Sequence, residues 1–254
     1  MREDEDPRPS TRPYLSVVVP AYNEAPRIVR SLERLRDYLE GQPYRWSVTV
    51  VSDGSTDGTE ALVAAFVRST PHFHLVAYAP NHGKGCAVRR GILAVDGDLI
   101  LFTDADLATP IEELEKLFKQ IDRVPVAIGS RALRESWLER RQPPYRELVG
   151  RLGNKLVQLL GVPGIHDTQC GFKLFRREEA QEIFRRVKLS GYGFDIEALM
   201  IARDLGFGMA EVPIRWAHQE GSKVMLWRDP PRVLLDLLRL RLMGRRRRLQ
   251  PHAD

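Results

Sequence analysis

Two carboxylates, Asp104 and Asp106, stand one residue apart where an apolar run, Leu99-Ile100-Leu101-Phe102, gives out. If the backbone stays extended past that run, residues two apart point the same way. Asp104 and Asp106 then offer hard oxygen ligands to one divalent cation. A cation held by one or two protein carboxylates keeps positions open for water and substrate phosphates. The same spacing also suits an acidic turn ahead of the helix expected near Pro110, so the neighbours decide. Three further groups precede the pair: Glu24 after the apolar run 15–19, Asp53 after the run 46–51, and Lys84 in Asn81-His82-Gly83-Lys84-Gly85. Arginines, Arg131 first, follow it.

The elements that would position these groups follow from periodicity. Leu15-Ser16-Val17-Val18-Val19 reads as a strand broken at Pro20, and Ile28, Leu32, Leu35 and Leu39 recur at helical spacing over 25–39. Strands at 46–51 and 73–78, helices to about 68 and over 86–95, a strand at the Asp pair, a helix over 111–121 and a strand over 126–130 continue the series. Such alternation with short connections predicts an α/β fold with a mostly parallel central sheet flanked by helices. The polar loops lie after strands, so Glu24, Asp53, Lys84 and the Asp pair are expected along one carboxyl rim. Beyond Arg131 the alternation fades. The expectations there are a loop over 133–144 with an exposed Trp137, helices over 145–160, 178–186 and 194–205, a turn and strand over 167–175, and one strand over 209–216.

Composition narrows the class. A chain of 254 residues with 43% hydrophobic and 29% charged residues fits a folded domain plus an appendage. Cys86 and Cys170 have neither metal-site spacing nor a disulfide pattern. Residues 1–13 read as a disordered acidic, Pro-rich tail without a signal-peptide core, and no 18-residue apolar window predicts a transmembrane helix. Neither a G-x-x-x-x-G-K-[ST] loop nor a G-x-G-x-x-G after the first strand is present, which argues against a P-loop NTPase or a dinucleotide dehydrogenase. The net charge of +5 concentrates in arginine-rich stretches at 131–151 and 228–248. These suit a phosphorylated substrate, anionic lipid or nucleic acid, or form a solvated basic surface.

Four blocks in order, Val19-Pro20-Ala21-Tyr22-Asn23-Glu24, Ser52-Asp53-Gly54-Ser55-Thr56-Asp57-Gly58, Asn81-His82-Gly83-Lys84-Gly85 and Asp104-Ala105-Asp106, resemble the family 2 glycosyltransferases of the GT-A fold. Gly129-Ser130-Arg131, the stretch from Asp167 to Phe175 and Phe194-Asp195-Ile196-Glu197 resemble the dolichyl- or polyprenyl-phosphate glucosyltransferases among them. The likeness covers about 14–227 and implies transfer of a hexose, UDP-glucose being the favoured donor, to a polyprenyl phosphate. It implies Mg²⁺ or Mn²⁺ on Asp104 and Asp106. It also implies a nucleotide-sugar site of Pro20, Ala21, Tyr22, Glu24, Asp53, Lys84, Asp104, Ala105 and Asp106. Asp167 and Gln169 are candidates to contact the sugar or to buttress the metal site, and Glu197 to face either the sugar site or the sheet. Plain structural roles stand beside these: an Asx turn or helix cap for Asp53 and Asp195, a first-turn charge for Glu24.

The acceptor sets a second requirement. A phosphate monoester has its second pKa near 6, so at neutral pH the attacking oxygen is already largely ionised. The protein must then place one anion beside another, a task for planar guanidinium groups. Arg131, at a strand end, is the first candidate, with Arg146 and Arg151, which match basic positions of related enzymes, next. The expected catalytic set is Asp104, Asp106, Arg131 and Asp195. Were the acceptor a sugar hydroxyl, Asp195 would serve as base. GDP-mannose and UDP-N-acetylglucosamine remain alternative donors, and a non-catalytic nucleotide- or membrane-binding protein is the reading of another class. Residues 228–254 read as a basic amphipathic helix and tail, docking on an anionic membrane surface or on the domain itself. The expectation is a peripheral protein on the cytoplasmic face of a membrane, with no nucleic acid partner.

Overall fold

The computed structural model describes residues 12–140, 161–217 and 236 of the 254, the side chains of 138–140 excepted. The sequence expectations for 145–160, for Arg146 and Arg151, and for nearly all of 1–13 and 218–254 lie outside the described residues. The elements are β1 (Leu15–Ala21), α1 (Ile28–Glu40), β2 (Trp46–Asp53), α2 (Thr59–Ser69), β3 (Phe73–Tyr78), α3 (Lys84–Ala94), β4 (Leu99–Thr103), a 3₁₀ turn (Ile111–Glu113) running into α4 (Leu114–Ile121), β5 (Val126–Ser130), β6 (Trp137–Arg140), β7 (Phe172–Arg176), α5 (Arg177–Arg186), α6 (Phe194–Asp204), β8 (Met209–Pro213) and β9 (Arg215–Ala217).

Seven strands form one sheet in the order β3-β2-β1-β4-β7-β5-β8. All run parallel except β7, which is antiparallel to both β4 and β5. Apolar layers cover both faces, which explains the unbroken hydrophobic runs of β1 and β4. On one side α1 lays Ile28, Leu32, Leu35 and Leu39, all fully buried, against Val17, Val19 and Leu101. On the other, Val88 and Ile92 of α3 and Phe184 of α5 pack with Phe102 and Phe175. Each such side chain contributes roughly 1.5–3 kcal/mol of apolar burial.

The strand order reverses between β1 and β4, and ligands of open α/β sheets collect outside the carboxyl ends of the strands at such a point. Because β7 runs the other way, its leading residues, Asp167 to Gly171, join the same rim as the trailing ends of β1, β2, β4 and β5.

Several local expectations are corrected. Pro20 does not end β1: register with β4 stops at Val18 opposite Phe102, so beyond it the missing N–H costs no ladder bond on that side. The helix expected from Cys86 begins at Lys84. The segment 137–140, expected as loop, is strand β6, paired in parallel with β9 nearly eighty residues later; nothing local signals so distant a partner. The single strand expected over 209–216 is two, because the chain leaves the main sheet at Ile214 to form the β6–β9 ribbon.

Candidate active site

Asp53 closes β2 and is 2% exposed. Its carboxylate accepts hydrogen bonds from Asn81 Nδ2 (2.8 Å), the His82 amide (2.8 Å) and the Gly83 amide (2.8 Å), while Asn81 Nδ2 also reaches its carbonyl. The loop ahead of α3 is therefore folded onto Asp53. Asn23, in the left-handed region at φ 52°, accepts from the Thr56 amide through its side chain and donates its own amide to Ser55 Oγ. The Glu24 amide donates to Thr59 Oγ1 (2.7 Å), and the Glu24 carboxylate pairs with Arg27 Nε at 2.5 Å. Tyr22, beside them, is 38% exposed on the rim.

The acidic pair is not extended strand. Beyond Thr103 the Leu107 amide donates to the Asp104 carbonyl (3.1 Å), and the Ala108 amide to Asp106 Oδ1 (3.0 Å). A turn, not strand alternation, brings the two acids together, so that part of the sequence expectation is corrected. The Asp104 amide is held by the Gly171 carbonyl (3.0 Å), and a Cβ at Gly171 would meet Asp104 Oδ2 at 2.0 Å. Only glycine lets the first acid lie against β7. Burial and the charge of Asp104 both push the Asp106 carboxyl up from its ordinary value. Lys84, at the first turn of α3, places Nζ 2.7 Å from Asp104 Oδ1. Burial would lower the Lys84 ammonium, but Asp104 and then Asp195 outweigh it and hold it above the usual lysine range. Two crowded acids answered by one ammonium fit a divalent cation. Among the described residues no cluster of three or more His, Cys, Asp or Glu side chains is placed to hold a metal.

Two ion pairs, one on a buried acid and one wholly buried, back the opposite side of the rim. Arg131, just past β5, donates Nε to Asp167 Oδ2 (2.7 Å) and Nη2 to Asp167 Oδ1 (2.8 Å), and its amide adds 2.9 Å. This fork uses one edge of the guanidinium and leaves the Nη1 end outside the pair. The guanidinium also lies 5.5 Å from the Trp216 ring. Burial alone would raise Asp167; Arg131 overcomes it and holds the carboxyl below the usual range. Arg131 in turn senses Asp104. Asp167 is itself positioned by Glu211 of β8, which accepts from the amides of His166 (2.7 Å) and Asp167 (2.8 Å) and meets His166 Nδ1 (2.8 Å).

The second pair is Lys173 with Asp195, 1% and 3% exposed. Lys173 Nζ also donates to the Cys170 carbonyl at 2.6 Å, tying α6 to the turn that seats Asp104. Burial pushes Asp195 up, and Lys173 and Lys84 pull it back.

Of the expected residues, the structure gathers Asp104, Asp106, Lys84, Arg131, Asp167 and Asp195 into one electrostatic group. Gln169 donates to the Tyr192 carbonyl (3.2 Å) at the exposed edge. Glu197 is 4% exposed and accepts from the amides of Lys188 (2.9 Å) and Leu189 (2.7 Å), a turn-holding position. Sequence reasoning passed over Lys173 and Glu211. Each is a charge inside an otherwise strand-like run, Phe172-Lys173-Leu174 and Ala210-Glu211-Val212, a pattern that requires a buried partner.

Residues 16–184 match the family model described as Glycosyl transferase family 2. The chain belongs to that family. It is a glycosyltransferase, and its seven-stranded α/β architecture is the GT-A fold. It is 38% identical over 224 residues to a dolichyl-phosphate beta-glucosyltransferase of Trichomonas vaginalis, covering 84% of this chain and 68% of that one. To the dolichyl-phosphate beta-glucosyltransferase of Homo sapiens it is 36% identical over 242 residues, 90% of this chain and 75% of that one. Among solved structures, mannosyl-3-phosphoglycerate synthase from Rubrobacter xylanophilus superposes with a TM-score of 0.68 at 21% identity, over 95% of this chain and 78% of that one. Glucosyl-3-phosphoglycerate synthase from Mycobacterium tuberculosis, in complex with Mn²⁺, uridine-diphosphate-glucose and phosphoglyceric acid, superposes with a TM-score of 0.66 at 23% identity, over 90% and 80%. At that identity the likeness speaks for the fold.

Proposed function

We propose that this glycosyltransferase moves glucose from UDP-glucose to a dolichyl or other polyprenyl phosphate, with inversion, at a membrane surface. The observation that carries the reading is the joint placement of the Asp104/Asp106 turn and the Asp167-backed Arg131 on one sheet edge. The curated relatives' names supply the sugar and the lipid.

A divalent cation, Mg²⁺ or Mn²⁺, held by Asp104 and Asp106 would act as a Lewis acid on the diphosphate leaving group. The loop folded on Asp53, with Pro20, Ala21, Tyr22 and Glu24 beside it, would seat the nucleoside. Lys84 would meet the diphosphate, exchanging Asp104 for phosphate oxygens. Arg131 would hold the acceptor phosphate through the guanidinium end that Asp167 leaves clear, with Arg146 and Arg151 as further candidates. Gln169, on the exposed edge, is the better placed of the expected sugar contacts. The phosphate oxygen attacks the anomeric carbon as the bond to the nucleotide breaks, so a single in-line displacement inverts the centre.

A base is not needed for an oxygen already ionised. Asp195 suits that economy: it is buried against Lys173, and its charge helps hold the Lys84 ammonium above the usual lysine range. The alternative, a sugar hydroxyl acceptor with Asp195 as base, needs that carboxylate to leave its lysine. Incubation with radiolabelled nucleotide sugars, polyprenyl phosphate and Mg²⁺ or Mn²⁺ tests the proposal. The expected outcome is a chloroform-soluble glucosyl product from UDP-glucose. Label passing only from GDP-mannose or UDP-N-acetylglucosamine would overturn the donor, and none in the organic phase the acceptor.

A further inference from the structure

Trp137 is 68% exposed, far above the next exposed large apolar side chains, Tyr14 at 41%, Leu62 at 39% and Tyr22 at 38%. It opens β6, in the two-stranded ribbon outside the main sheet. The ribbon is nonetheless fixed firmly. The Trp137 amide donates to the Ile214 carbonyl (3.1 Å), and the Ser136 hydroxyl to the Ser130 carbonyl (2.6 Å). Arg215, the register partner of Trp137, pairs its Nε with the buried Glu113 at 2.6 Å. The far end of β9 is tied to the acidic turn, the Ala217 amide donating to the Ala108 carbonyl (2.9 Å). Trp216 on the same strand faces the Arg131 guanidinium. A rigid ribbon thus runs from the cation turn and the acceptor arginine out to a bare indole.

We infer that Trp137 is a membrane anchor, seating the ribbon at the headgroup level of an anionic bilayer so that Arg131 meets a lipid phosphate at the surface. An indole combines a large apolar body with one N–H donor and settles at membrane–water interfaces. The flanking sequence carries three arginines, exposed Arg134 on one side and Arg140 and Arg141 on the other, against Glu135 and Glu139, a net positive balance that an anionic leaflet attracts. The Trp137 and Ala217 amides are already bonded to the domain, so burial in lipid orphans neither, and the indole N–H stays at headgroup level. The inference rests on the lipid-phosphate acceptor of the proposed function, and deepens it by naming the docking surface.

The experiment uses the full chain with vesicles of phosphatidylcholine and phosphatidylglycerol, with and without brominated acyl chains, and two acceptors, a long polyprenyl phosphate in the vesicles and a short water-soluble isoprenyl phosphate. Expected are bromolipid quenching of wild-type fluorescence that largely disappears in Trp137→Phe, and roughly tenfold weaker vesicle binding by Trp137→Ala. KM for the vesicle-borne acceptor should rise in parallel while transfer to the short acceptor is unchanged, and Trp137→Tyr should restore most of the binding. Equal vesicle binding by wild type and Trp137→Ala would overturn the inference. So would self-association of the wild type that Trp137→Ala abolishes, since it assigns the face to a second copy. Absence of transfer to both acceptors sinks the acceptor reading instead, and vesicle binding still judges the anchor.

Discussion

The two halves of the rim are built differently. The half at β1, β2 and β3 positions its polar groups with backbone hydrogen bonds: Asp53 takes two amides and an amide side chain, the Asn23 amide donates to Ser55 while its side chain accepts from the Thr56 amide, and Asp57 accepts from the Thr59 amide. The half at β4, β5 and β7 uses ion pairs: half-buried Arg131 on buried Asp167, fully buried Lys173 on Asp195, half-buried Lys84 on Asp104. The first construction suits a neutral nucleoside, which is recognised by shape and hydrogen bonds. The second suits two anions brought together, since cations paired with carboxylates are held in place.

The comparison breaks most sharply at Gly171. Gly171→Ala pushes a methyl onto Asp104, so turnover should fall roughly a hundredfold or more, as for loss of a leaving-group stabiliser. Nucleotide affinity measured without metal should change little; an active Gly171→Ala enzyme would show the seat is not needed. Lys173→Met comes next. Removing one member of a buried pair costs about 3–5 kcal/mol, read as a drop in unfolding free energy in urea. Adding Asp195→Asn should recover much of it, and failure to recover would mean the pair is not the source. Arg131→Lys loses the fork and should raise the acceptor KM roughly tenfold with the donor KM unmoved.

Asp167 gives the pH arm. Its carboxyl is held low in the folded state, so its stabilisation is present above about pH 4, the ordinary carboxylate value, and lost as pH falls through the lowered folded value. Asp167→Asn should flatten that part of the acid limb of a stability–pH curve; an unchanged limb would remove the pair from the account. The smallest effect belongs to Glu197→Gln, which should cost about 1–2 kcal/mol of stability through weakened bonds to two amides. Transfer kinetics should stay close to wild type, and a selective rise in donor KM would return Glu197 to the sugar site.

The sequence made the first half legible almost entirely. Strand 126–130 falls where periodicity places it, because a strand buried on both faces leaves an apolar run; 73–78, an edge strand with Phe73 alone buried, also keeps its expected bounds. The polar rim after β1, β2 and β4 follows from the same alternation. The second half was harder, because its information is long-range. β7 reads as a strand, but its antiparallel direction is set by partners far away. β6 has no local signature, since its partner is β9. Asp104 and Asp106 were read as a pair for a geometric reason that the turn at Leu107 replaces. Lys173 lies inside a strand-like run whose pattern does not name a partner; the position of Asp195 does.

The central claim is that the acceptor arrives ionised and the buried acid beneath the rim positions charge instead of taking a proton. The double variant Lys173→Met with Asp195→Asn tests it, because it removes the carboxylate without stranding a buried charge. Glucosyl transfer to polyprenyl phosphate, measured on folded double variant, should stay within about tenfold of wild type. Loss of 10²–10⁴-fold, the size of a general-base contribution, would contradict it.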